Sequence, residues 1–306
     1  MKKLLIPFLF LVTYCSCKKS TQEPEPTPQT PLVITKADYS NYKVGGAAFS
    51  FSTVNNASVT VPANGEGQTW DFSTLAETSS FTTGGTNFLT PTNTVFPAAT
   101  YMTPTTTAWA VSGSTSSTVA ASNFNEVNDA GIFDLGYSQN AATSITIASL
   151  GATIAYPIQN LNYTGTTKFP NVLFPAKVGN APVVTSGIVK TSNYNVNAAA
   201  FGLVNTPGQT RVTTSVTSEV VGSGTAKFRN IAAVRVLVTK ISYSDRTNYF
   251  LGGAPAPAAL LTNLGVVDGA ITTGTTYRDV AEGLGTVGIL EVSATGVVTS
   301  AFFRKG

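Results

Sequence analysis

From residue 31 onward, apolar and polar positions alternate with a period of two, and Gly, Asn, Pro and Asp interrupt the alternation every few residues. That pattern predicts strands buried on one face, joined by tight turns. In RVTTSVTSEVV, Val212, Val216 and Val220 share one face, and Arg211, Thr213, Thr217 and Glu219 share the other. SVTVPANGEGQTWDFSTL reads as strand, Asn-Gly turn and strand, with Trp70 and Phe72 on one face. ATSITIASLGATIAYPI, AAVRVLVTKISYSD and TVGILEVSATGVVTSAFF repeat the pattern, the last with a hairpin turn around Thr295 and Gly296. A single stretch, 257–264 (PAALLTNL), reads as a helix of about two turns, with Pro near its start and Gly265 just past its end.

The expected fold is therefore all-β, an antiparallel β-sandwich or a strongly curved sheet with at most one short helix. Turn residues cluster in NLNYTGTTKFP near 160–170, which suggests two β lobes, 32–165 and 166–306, or one continuous domain. Composition agrees with an exported β-protein. Of 306 residues 42% are hydrophobic and only 11% charged, against roughly a quarter charged in an average soluble domain, so Thr, Ser and Asn carry the surface.

Charge is unevenly placed. Lys2, Lys3, Lys18 and Lys19 account for the net charge of +3. Between Lys43 and Lys168 there is no basic residue, while Glu66, Asp71, Glu77, Glu126, Asp129 and Asp134 occur there; from Lys168 onward basic residues outnumber acidic ones. This reads as two faces or lobes of opposite mild charge. No basic cluster is interleaved with aromatics, so nucleic acid is not an expected partner. The chain has no histidine, which removes Ser-His-Asp and Cys-His mechanisms and every His-containing metal site.

Residues 1–16 carry Lys2 and Lys3, then LLIPFLFLVTY, then Ser16: a charged start and a short apolar run, as in a secretory signal peptide. Both cysteines, Cys15 and Cys17, lie at its end. A redox or metal role for the pair would need further ligands, and the chain has no other cysteine. Residues 18–31, KKSTQEPEPTPQTP, form a Pro-rich spacer of on the order of 40 Å when extended.

The small Ser16 before Cys17 resembles the lipobox of bacterial lipoproteins, and SCKKS is similar to leaders of Bacteroidetes lipoproteins. The resemblance implies cleavage after residue 16 and lipidation of Cys17, with a diacylglyceryl thioether and an acyl chain on its amine. Residues 17–31 then become lipidated cysteine and linker. It also implies an outer-membrane lipid anchor on the cell surface or the periplasmic face, with the bilayer as partner. GEGQTWDFSTL and SEVVGSGTAKFRNIAAVRVLVTKISYSD look like segments of uncharacterised exported β-proteins of the same group. In the second, a Gly-x-Gly turn is expected between two strands.

Candidate chemistry is sparse. GLGTVG, 283–288, matches G-x-G-x-x-G, but the helix that a dinucleotide site needs is not expected after it, so the glycines read as a bend or bulge. Asp279 and Glu282 in YRDVAEG form the nearest carboxylate pair for a glycosidase-type mechanism. Asp71, Asp129 and Asp134 are further acids at strand ends. NEVNDAGIFD offers oxygen ligands for Ca²⁺ and equally the residues of a tight turn. Trp70 reads as core and Trp109, in a Thr-rich stretch, as the better candidate for stacking a sugar. The expected function is a membrane-anchored envelope lipoprotein with a non-catalytic binding or structural role, without cofactor or metal, and with a glycan or an envelope protein as partner. The alternatives are a carbohydrate-active enzyme with paired carboxylates and a glycan-binding module.

Overall fold

The computed structural model describes residues 30–84, 87–164 and 168–306; the leader, Cys17 and most of the Pro-rich spacer lie outside the described residues. The strands in chain order are β1 (Phe49–Val54), β2 (Gly65–Asp71), β3 (Glu77–Thr83), β4 (Tyr101–Trp109), β5 (Ser117–Asn128) and β6 (Gly131–Gln139). There follow β7 (Thr143–Ile147), β8 (Ala152–Tyr156), β9 (Asn160–Thr164), β10 (Phe169–Leu173), β11 (Val183–Ala198) and β12 (Leu203–Phe228). The last are β13 (Ile231–Leu251), β14 (Ala254–Pro255), β15 (Ala270–Ala281), β16 (Gly285–Ser293) and β17 (Val298–Lys305). The fold is nearly all β, with one α-helix among the described residues, α1 (Ala258–Asn263), capped by Pro257 and ended by Gly265 at φ +66°.

The strands make one sheet that does not close. It runs β3–β1–β17–β16–β15–β13–β12–β11. The far edge of β11 is shared by β8 and β9; β9 also pairs with β6, which continues to β5 and β4 and carries β10. All these pairings are antiparallel, and β2 joins β12 as the one parallel neighbour. Residues 31–306 form one compact unit, and strands on either side of residue 165 pair directly, β6 with β10 and β8 with β11.

The sheet turns back on itself, so that β5, β6 and β10 lie over β13, β15 and β16. Ile132 and Val172 from the first group pack with Leu237 and Val280 from the second in an aromatic-rich core that includes Tyr39, Phe49 and Phe88. The opposite face of β15 and β16 buries Ala281, Val287 and Leu290 with Phe228 and Phe303. β15 is thus covered on both faces, which explains why Arg278, Asp279, Val280 and Ala281 follow one another without a solvent-facing position among the last three.

Two local expectations need correction. Residues 58–61 of SVTVPANGEGQTWDF are not a strand; a 3₁₀ turn at Asn56–Ser58 precedes an irregular segment and only Gly65–Asp71 pairs. The Gly-x-Gly of SEVVGSGTAKF is not a turn either: it lies inside the 26-residue strand β12, and the reversal comes at Arg229 and Asn230, with Asn230 at φ +59°. The glycines serve a close approach. A Cβ on Gly224 would stand 2.0 Å from the Gln68 carbonyl oxygen of β2.

Candidate functional site

Between the two layers lies a cavity of about 290 Å³ with a predominantly polar lining. One wall is β15 and β16, contributing Arg278 and Thr286; the other is β5, β6 and β10, contributing Asn123, Asn125, Asp134 and Asn171, and Tyr42 and Tyr101 also line the cavity.

Local backbone irregularities set these side chains. In β10 the pairing with β6 jumps from Pro170↔Phe133 to Val172↔Ile132, so Asn171 is an extra residue. A bulge of this kind turns two consecutive side chains to the same side, which brings both Asn171 and Val172 to the cavity. β6 has its own bulge at Leu135, beside the Asn125↔Asp134 pair, and β16 has one at Val287, beside Thr286. Gly136 follows the β6 bulge at φ +119°, where a Cβ would meet the Leu161 carbonyl oxygen at 2.2 Å, so only glycine fits. Three bulges therefore border one cavity, in the places where bulges commonly re-aim side chains at a site.

Arg278 is half-buried and lines the cavity, with its guanidinium enclosed by protein. Its Nη2 donates to Asn171 Oδ1 at 3.0 Å, its Nε is buried without an acceptor, and among the described residues no carboxylate forms an ion pair with it. Burial pulls the guanidinium below its ordinary value, opposed by Tyr39, Tyr42 and Tyr101 and by the charge of Glu291, which is not in contact with it. Asp134 accepts from the Gly136 N–H at 2.8 Å and, weakly, from Tyr163 Oη at 3.4 Å. Burial pushes its carboxyl up, while the Gly136 hydrogen bond and the charges of Lys190 and Arg278 draw it back. Tyr39 donates to or accepts from Thr286 Oγ1 at 3.1 Å, and Tyr42 donates to the Thr286 carbonyl at 3.4 Å. Burial raises both phenols, so they are neutral hydrogen-bonding groups.

Of the residues singled out in the sequence, Asp134 lines the cavity, with Asn125 from the same NEVNDAGIFD stretch; the others fall elsewhere. Asp279 points to the opposite face of β15 from Arg278, is 1% exposed, and neither of its oxygens has a partner. Glu282 is exposed in the turn after β15, so the two are not across a common cleft. Trp109 ends β4 half-buried, stacked on Tyr156 with ring centroids 4.0 Å apart and packed on the core around Ile154 and Leu260, its Nε1 enclosed without a partner. Trp70 packs with Phe72 on the core around Phe228 and Phe303. Asn128, Asp129, Ala130 and Gly131 form the β5–β6 turn, where Asn128 Oδ1 accepts from the Ala130 and Gly131 N–H groups. The glycines of GLGTVG make the β15–β16 turn, with Gly283 and Gly285 at φ +68° and +72°, and lead into the β16 bulge. Cys17 lies outside the described residues.

Sequence reasoning passed over Arg278, Asn123 and Asn171 as site residues. A partial signal was present: two adjacent ionisable residues inside a strand cannot both face water if the next two positions are Val and Ala. The fold and cavity define a layered, open β-sheet protein with an internal polar site. No family model, curated protein or solved structure matches this chain.

Proposed function

We propose that this chain is a lipid-anchored envelope protein whose β domain holds a small polar ligand without turning it over. The observation that carries the reading is the interlayer cavity, bordered by three bulges and supplied with an enclosed arginine, amides and phenols. A fold stabilised only by packing would be expected to fill such a space with apolar side chains, because enclosed polar groups without partners cost stability. Binding is favoured over hydrolysis because Asp134 is the one carboxylate among the lining residues, whereas glycoside hydrolysis of the usual kind needs two.

The anchor rests on the lipobox resemblance at Ser16–Cys17 and the Pro-rich spacer. A tethered binder of this build keeps its ligand at the membrane surface. Two measurements test the two parts. Palmitate labelling in cells should be lost in Cys17→Ala, with the protein released from the membrane fraction; labelling that persists would place the anchor elsewhere. Native mass spectrometry of the whole chain extracted in mild detergent should show an added small molecule, and Asn123→Trp, which fills the cavity, should lose it. An adduct retained by that variant would move the site away from the cavity.

A further inference from the structure

The charges in the cavity say more about its occupant, on the reading that it is a binding site. We infer that the occupant is a small hydroxylated carboxylate, a single-ring sugar acid or an open-chain equivalent, with its carboxylate on Arg278 and its hydroxyls on the facing asparagines and Asp134.

The first ground is the unmatched cation. An enclosed guanidinium normally sits against a carboxylate, because removing a charge from water is costly unless it is paired. Here Asn171 takes one Nη2 hydrogen, Nε is left over, and no carboxylate of the described residues is in contact. Asp134 lies on the facing wall and is turned to the Gly136 N–H. Arg278 acts on Asp134 across the space without touching it, and the acid that acts on Arg278 is Glu291, likewise without an ion pair. A ligand anion supplies the missing partner, and a planar carboxylate fits a guanidinium edge.

The second ground is the facing wall. Asn123 and Asn125 stand two residues apart on β5, on one face, with Asn171 beside them across β6 and β10. Asn123 and Asn125 offer donors and an acceptor and Asn171, its oxygen on Arg278, offers donors, which matches hydroxyl groups that do both, and Asp134 adds an acceptor for a further hydroxyl. A bare inorganic anion leaves these amides unused, and a neutral sugar leaves Arg278 unmatched. The third ground is size. About 290 Å³ lies at the lower end of ligand sites, which suits one ring or a short chain and not an oligosaccharide.

The test is calorimetry on the whole chain in mild detergent at pH 7, with a panel of uronic and aldonic acids, D-glucose, and inorganic phosphate. At least one sugar acid should bind at least tenfold more tightly than glucose or phosphate. Arg278→Met, which removes an enclosed charge and keeps most of the volume, should abolish that preference; Asn123→Ala, at a half-buried position, should weaken the acid by about threefold to tenfold. Circular dichroism and a thermal melt establish that each variant is folded. Glucose binding as tightly as the acids, with loss in Asn123→Trp, would overturn the anionic ligand and leave the cavity as a binding site. Phosphate binding as tightly as the acids would overturn the hydroxyl recognition. Absence of binding by every probe to folded protein would overturn both readings.

Discussion

Asp279 shows how much one side chain can carry in this fold. It is flanked in register by Val238 and Gly288, a Cβ on Gly288 would lie 2.4 Å from its Oδ2, and neither oxygen has a donor. Burial pushes its pKa from 3.8 to about 7, so near neutrality it is divided between the acid and its anion. The unfolded chain ionises first, so the folded state loses stability as pH rises from about 4 and the loss is complete just above the folded pKa. Asp279→Asn, which cannot ionise, should therefore stay close to the wild type at pH 4 and exceed it by on the order of 4 kcal/mol at pH 8 in denaturant titrations. Equal stability of the two proteins at pH 8 would show that Asp279 finds a partner. The segment YRDVAEG is readable in the sequence as a place where chemistry is concentrated. Its wrong half stands out, because adjacent acids suggest a pair, while strand alternation sends Asp279 and Arg278 to opposite faces and leaves Glu282 in the turn. Arg278 finds Asn171 from 107 positions away, which no local pattern records.

At the scale of elements, period-two alternation locates the β7–β8 and β16–β17 hairpins and the strand β13, and the flanking Pro257 and Gly265 locate the helix α1, because each is defined by its own pattern and its own turn or cap. What alternation does not show is the bulge. One extra residue looks like a slipped letter in the pattern, yet at Asn171, Leu135 and Val287 it decides which side chains reach the cavity. The same holds for glycine, which announces a turn far more often than a close backbone contact. Gly222 and Gly224 belong to the second kind, since β2 lies against β12 where a side chain would otherwise project. Gly224→Ala should destabilise the protein by about 2–3 kcal/mol, by forcing β2 off β12. Gly67→Ala, at φ +71° with nothing within 4 Å, should cost about 1 kcal/mol through backbone strain alone. Urea denaturation curves of the two variants decide between them; equal losses would mean that β2 yields without cost.

For the whole molecule, the uneven charge of the chain becomes a matter of fit. Acids of the segment without basic residues meet bases that come after it: Glu126 pairs with Lys168, Asp71 with Lys227 at 3.9 Å and Glu77 with Lys305 at 3.0 Å. Asp134 and Arg278, on facing walls of the cavity, repeat the arrangement without contact. The Asp71–Lys227 pair is open to water and contributes little to stability, and what chiefly joins the two segments is strand pairing and shared core. β10 takes its edge from β6, β11 from β8 and β9, β2 lies on β12, and β1 on β17. The apolar core around Ile132 and Val280 likewise draws on both segments. Residues 32–165 or 166–306 alone would expose an unpaired set of strand edges and half a core, a state that small β-proteins do not hold as a cooperative fold. Expressed separately, neither should show a cooperative thermal transition, whereas coexpression should restore one, along with the ligand preference of the intact chain. A sharp independent transition in either fragment would mean that the charge switch near residue 165 marks a boundary between folding units, and that the cavity forms where two finished domains meet.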